Sequence, residues 1–165
     1  MVAALCCQLL LLAYHQATTF FDFFPFNGAR RYEPRQRWAE MGSNAILMGL
    51  APIGFIFGIR SLQVYGAFYY FVLFGIELVI WWVPYCFDPQ GIWRRLYNVA
   101  LSLGTFDFGR GDTLSRWHEV YQRLHSGTIS IVPAKTDRIV PNLEHTLLHA
   151  WTLVTALVTY AAVYG

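Results

Sequence analysis

Ionisable side chains are scarce in this chain, at 13% Asp, Glu, Lys and Arg, and those inside its long apolar runs are the ones placed to do chemistry. Glu77 is the only charge between Ser61 and Phe87, while His15, His145 and His149 lie at the loop-facing ends of two further apolar stretches. A polar group held in hydrocarbon must find partners there, so each is a candidate functional residue. Gln8, His15 and Asp22 recur every seven residues, which on a helix places them in a stripe about 40° wide. His145, His149, Thr152 and Thr159 share one face of the last run in the same way, and Trp81 follows Glu77 by one turn, with Pro84 beyond. Counting about 1.5 Å of rise per residue, His149 lies about 9 Å deep, His15 about 10 Å and Glu77 about 15 Å, with Asp22, Asn44 and His145 near the mouth. One shared chamber is the expectation.

Two chemistries fit such a chamber. His145 and His149 are spaced i, i+4, a separation that lets two imidazoles reach one metal ion, and His15 or Glu77 would complete a site for a divalent transition metal. A tetrapyrrole held axially by one of these histidines is a lesser alternative. Neither an HExxH motif nor a repeated Glu-x-x-His accompanies the pair. The second chemistry needs no cofactor: Glu77, His149 and His15 carry protons as catalytic acid and base, while Trp81 and Trp82 present faces that stabilise a cation. Trp81, Asn44 and Asp22 would then contact the substrate. A plainer reading stands beside both, in which buried Glu and His hydrogen-bond across helices and hold the register, each bond worth about 0.6 to 2 kcal/mol.

Other polar residues carry weaker signals. His118 and His125 share a helix face with Gln122 and join the chamber only if that helix folds back over its mouth. Glu144 follows Pro141 and reads as a first-turn charge complementing a helix dipole. Asn44 suits either a helix cap or a ligand contact. Cys6, Cys7 and Cys86 form no CxxC pair and read as small packing residues.

The elements that must position these groups are four apolar segments, expected as transmembrane helices over residues 2–21, 42–59, 62–87 and 142–164, each close to the ~20 residues that cross a bilayer core. The fold class expected is an all-α integral membrane protein, a four-transmembrane-helix bundle forming one membrane domain. Eleven of the twelve Lys and Arg fall in the two long connections, 22–41 and 88–141, and only Arg60 lies elsewhere. Because basic loops are retained on the cytoplasmic side, both connections are expected there and both termini outside, in a bacterial inner membrane. The first segment has a signal-like apolar centre, but no Lys or Arg precedes it and its uncharged run is long, so it reads as a retained span.

Within the connections, Pro25 and Asn27-Gly28 mark a turn among phenylalanines, and Pro34 is placed to start a short interfacial helix ahead of the second span. Gly54 and Gly58 have GxxxG spacing, read as close packing inside the bundle, and Pro52 should bend that helix. Ile92 to Leu103 and Leu114 to Leu124 read as two cytoplasmic amphipathic helices, separated by the Gly-rich run Gly104 to Gly111, with Asp112 placed to cap the second. Thr128 to Val132 and Arg138 to Val140, around Pro133 to Asp137, allow a small β-hairpin.

The partners implied are the lipid bilayer and an apolar, lipid-like small molecule. A second copy or a larger membrane complex would suit the packing face, and a proton-coupled transporter would suit Glu77. Basic residues placed beside four apolar spans point to anionic headgroups and away from nucleic acid.

Overall fold

A computed structural model describes residues 1–105 (side chains through 102), 112–135 and 138–165. Four of its helices are long and apolar enough to cross a membrane: α1 (Val2–Phe20), α2 (Pro34–Ile56), α3 (Arg60–Cys86) and, last in the chain, α6 (Leu143–Tyr164). Two shorter helices, α4 (Gly91–Thr105) and α5 (Thr113–His125), lie between α3 and α6. The long helices form a closed ring of neighbours, α1 on α2, α2 on α3, α3 on α6 and α6 back on α1. Among the described residues there is no strand.

Pro34 does begin a helix, but that helix runs unbroken through Gly42 to Ile56. The separate interfacial helix is therefore corrected to the first turns of α2, and Asn44 sits inside it, where it cannot cap. The expected hairpin is also absent, because its backbone bonds go elsewhere. Ile129 N–H donates to Pro25 O at 2.9 Å, Leu143 N–H donates to Ile129 O at 2.7 Å, and Ser130 Oγ donates to Pro141 O at 2.9 Å. Part of its turn, like most of the Gly-rich run, lies outside the described residues.

Glycine spacing has two separate uses. Gly54 and Gly66 let α2 and α3 approach closely: a Cβ on Gly66 would come within 2.7 Å of the Ala51 Cβ, and one on Gly54 within 2.6 Å of the Leu62 Cβ. Gly58 instead ends α2, with φ at +67°, and the Ile59 N–H reaches back to Gly54 O at 2.9 Å, the bond expected when a left-handed glycine terminates a helix. The GxxxG pair is thus one packing contact and one turn.

Both helix-interior prolines free a carbonyl four residues back, and in each case an aromatic side chain takes it. Tyr70 Oη donates to Met48 O at 3.3 Å opposite Pro52. Trp117 Nε1 of α5 donates to Ile80 O at 3.0 Å opposite Pro84. Around the second site α3 widens into a π turn over Leu78–Trp82, and Tyr97 Oη of α4 donates to Val79 O at 2.6 Å. At the end of α3, Lys135 Nζ donates to Tyr85 O at 3.1 Å. The loop helices are thus fastened to the backbone of α3 where Trp81 and Trp82 project.

Asp112 does not cap α5. Its carboxylate takes Arg94 Nε at 2.9 Å and Asn98 Nδ2 at 2.8 Å, and Asn98 Oδ1 accepts from Leu114 N–H at 3.0 Å in its place. The Arg94 guanidinium holds the Asp112 carboxyl well below the usual carboxylate range.

Candidate functional site at the loop end of the bundle

Where α3, α5 and α6 meet, Trp81 is the hub of a cluster of imidazoles. Its ring lies over His145 with centroids 3.9 Å apart, 5.2 Å from His125 and 6.3 Å from His149. His125 and His145 are 5.2 Å apart edge to face, and His145 and His149 are 5.9 Å apart. The fold-back on which His125 depended is realised: α5 closes over the mouth and leaves His125 2% exposed. His118 remains outside the cluster, 3.5 Å from Gln122.

Hydrogen bonds assign each imidazole a tautomer. An indole nitrogen only donates, and Trp82 Nε1 lies 2.9 Å from His149 Nδ1, so neutral His149 carries its proton on Nε2. Asn142 Oδ1 accepts the His145 backbone N–H at 2.9 Å and capping α6 in this way fixes it as an acceptor; the same oxygen lies 2.7 Å from His145 Nδ1. His145 is therefore protonated on Nδ1, which leaves Nε2 as its accepting nitrogen. Asn142 Nδ2 points at His125 Nδ1 from 3.4 Å, so His125 donates from Nε2 to Tyr32 Oη at 3.0 Å. Burial, and then the charge of Arg31, lower the His125 pKa to about 4. Burial likewise pushes the Tyr32 hydroxyl up, with Glu40 and Glu144 adding to it.

Beside His145 is a cavity of about 30 Å³ lined by Tyr32, Arg37, Glu40, Glu144 and His145, room for a water molecule among polar groups. His15 Nε2 is 3.7 Å from Glu40 Oε1, and Glu144 Oε2 is 3.7 Å from His145 Nδ1. Two buried nitrogens here, Arg37 Nε and His15 Nδ1, have no hydrogen-bond partner among the described residues. Glu144, read from sequence as a dipole partner, is thus part of the site wall.

Glu77 lies one rung deeper. Its Oε1 is 2.9 Å from Thr152 Oγ1, and Thr152 is three residues beyond His149 on α6. Asp22 is drawn away, paired with Arg30 at 3.4 Å. The cavity lining does not include Asn44. Among the described residues no group of three or more His, Cys, Asp or Glu is placed to hold a metal ion. His15, Glu77, His145 and His149 are thus not gathered into one ligand set: His15 faces Glu40 at 3.7 Å, and Thr152, Asn142 and Trp82 bond the other three. The cavity at His145 has no room for a tetrapyrrole.

An apolar groove of about 660 Å³ runs between α3 and α4, lined by Val83, Phe87, Trp93, Leu96, Tyr97 and Ala100. Tyr97 and Val83 belong to the same hydrophobic cluster as Trp81, so the groove borders that cluster. Tyr32 and Glu40 escape sequence reasoning as site residues because neither shares a helix face with the polar residues of the apolar runs, whereas Tyr121 belongs to the apolar stripe of α5. Asn142 also had a signal, as an N-cap residue ahead of an apolar run.

The class these features define is an all-helical protein with four membrane-length helices and a buried imidazole cluster at one end. Comparison with family models, curated proteins and solved structures finds no match.

Proposed function

We propose that this is a multi-pass membrane protein whose loop-end site binds an apolar small molecule by a polar group and moves a proton on it. The bilayer reading is supported by inverted burial. Leu10, Ile46, Ile53, Phe68, Val72 and Leu157 are exposed on the outside of the bundle, whereas Gln8, Glu77, His149, Thr152 and Thr159 are buried within it. With the two basic connections on the cytoplasmic side, the termini face the exterior of a bacterial inner membrane and the site opens to the cytoplasm.

The observation that carries the chemistry is the pairing of opposite tautomers. His145 offers an accepting Nε2 and His149 an Nε2–H, with Trp81 stacked on the first ring. One imidazole is a base and its neighbour a hydrogen-bond donor in the resting state, and the indole face stabilises the imidazolium formed when the base takes a proton. Glu144, Glu40 and Tyr32 border the adjoining water-sized cavity and connect the pair to solvent, and the groove along α4 supplies an apolar bed of the size a lipid-like molecule needs.

The test compares small molecules extracted from detergent-purified wild type with those from His145→Ala and His149→Ala. One chemical class enriched at least about tenfold in the wild type and lost from both variants, the effect of roughly 1.4 kcal/mol of binding, is the expected result. Identical extracts from all three proteins would refute it.

A further inference from the structure

We infer that Glu77 and the polar face of α6 form a closed-ended proton inlet leading from the histidine cluster into the middle of the bundle, with Glu77 as its proton store. This does not depend on what the loop-end site binds. Four positions on α6 project polar groups along one seam: His149 bonded to Trp82, Thr152 to Glu77, Thr155, and Thr159, which accepts from Gln8 Nε2 at 3.0 Å. At successive spacings of three or four residues these stack as neighbours on one helix face. All are buried, yet Glu77 Oε2, Thr155 Oγ1 and Gln8 Oε1 have no hydrogen-bond partner among the described residues. Buried oxygens of this kind are ordinarily satisfied, and water is the molecule small enough to reach them.

Thr152 makes Glu77 a two-state group. Its single hydroxyl proton faces two acceptors, Glu77 Oε1 at 2.9 Å and Leu148 O at 3.0 Å. With Glu77 ionised, the hydroxyl donates to the carboxylate and leaves Leu148 O. With Glu77 protonated, the carboxyl O–H donates to Thr152 Oγ1 and the hydroxyl turns to Leu148 O, so both contacts are made at once. The rotor thus changes direction with each proton gained or lost, and no other atom need move. Tyr69 on its own helix is the titratable group that feels the charge of Glu77, Tyr14 of α1 packs on Trp151 beside Thr152 with ring centroids 6.1 Å apart, and Leu11, Leu12, Met48 and Ala51 of α1 and α2 pack with Tyr70 alongside.

The seam stops at the terminal end of the bundle. One turn beyond the Gln8–Thr159 bond lie Ala4 and Val163, packed with Phe55 and Ala67 into an apolar plug. Protons can then enter and leave by the histidine end alone.

Infrared difference spectra of wild type against Glu77→Gln, in lipid vesicles, isolate the bands of this carboxyl. Bands that titrate with bulk pH and shift within seconds of transfer to D2O are expected, with exchange slowed at least tenfold in Thr152→Val. Bands unmoved by pH and D2O, or exchange unaltered by the Val substitution, would overturn the inlet. Vesicles loaded with a pH-sensitive dye should hold an imposed pH step as long with wild-type protein as without it. A protein-dependent leak would overturn the closed end. Loss of bound small molecules in the His145 variant with normal Glu77 exchange would separate the site from the inlet.

Discussion

The two ends of the helix bundle are built on opposite principles. At the terminal end, Ala4, Phe55, Ala67 and Val163 close the interior with small and apolar groups, and the short turn after α2 pivots on Gly58, with Arg60 Nη2 donating to Val163 O at 2.9 Å at the rim. At the loop end, Trp81 gathers three histidines, and donors from α4, α5 and the segment after them reach into the backbone of α3. One end is sealed by packing, which any apolar set of the right volume achieves. The other is held by directional bonds that only particular side chains make, and that is where chemistry is possible.

Substitutions can sharpen this contrast. The largest effect is expected from Trp81→Ala, which removes a buried ring from the centre of the loop-end cluster and should cost about 3–5 kcal/mol; thermal unfolding followed by circular dichroism in detergent measures it, and a loss no greater than that of a surface substitution would show that the hub is not structural. Next comes acidification. His125 is lowered to about 4 in the folded protein from an ordinary value near 6.5, so the unfolded chain binds the extra proton between those values and the folded chain does not. Its contribution is complete above pH 6.5 and is lost as pH falls toward 4, about 3 kcal/mol in all. Stability measured across that range should fall steeply in wild type and less so in His125→Gln.

Smaller effects belong to the packed part of the bundle and to the surface. Gly66→Ala places a methyl 2.7 Å from the Ala51 Cβ and should destabilise by about 1–3 kcal/mol through overpacking, read as a lower midpoint in thermal unfolding with the histidine cluster unchanged. Arg30→Gln breaks an exposed pair with Asp22, and a change above about 1 kcal/mol in the same assay would be unexpected.

How much of this was legible in the sequence follows from the kind of interaction involved. The four long helices announce themselves by length and absence of charge, and the shared face of His145 and His149 follows from helical period. The offset of Glu77 from His149 was legible in the depth count, about 15 Å against about 9 Å, but its partner Thr152 was not, because depth along different helices does not say which residue each group meets. The π turn at Leu78–Trp82 depends on Trp117 and Tyr97, which lie far along the chain and supply the donors that Pro84 makes necessary. His125 and Tyr32 join the site through the folding of a connection over the bundle mouth, a tertiary event with no local signature. The missing hairpin has the same cause: Ile129 spends its backbone on Pro25 and Leu143 instead of on a neighbouring strand.

The tautomers of the histidine cluster test the account most directly. Nitrogen NMR of the protein labelled with 15N-histidine, with assignments from His145→Gln, His149→Gln and His125→Gln, distinguishes Nδ1–H from Nε2–H at neutral pH. The account predicts a proton on Nδ1 of His145 and on Nε2 of both His149 and His125. The same tautomer at His145 and His149 would contradict it, since the resting donor and base would no longer be distinct.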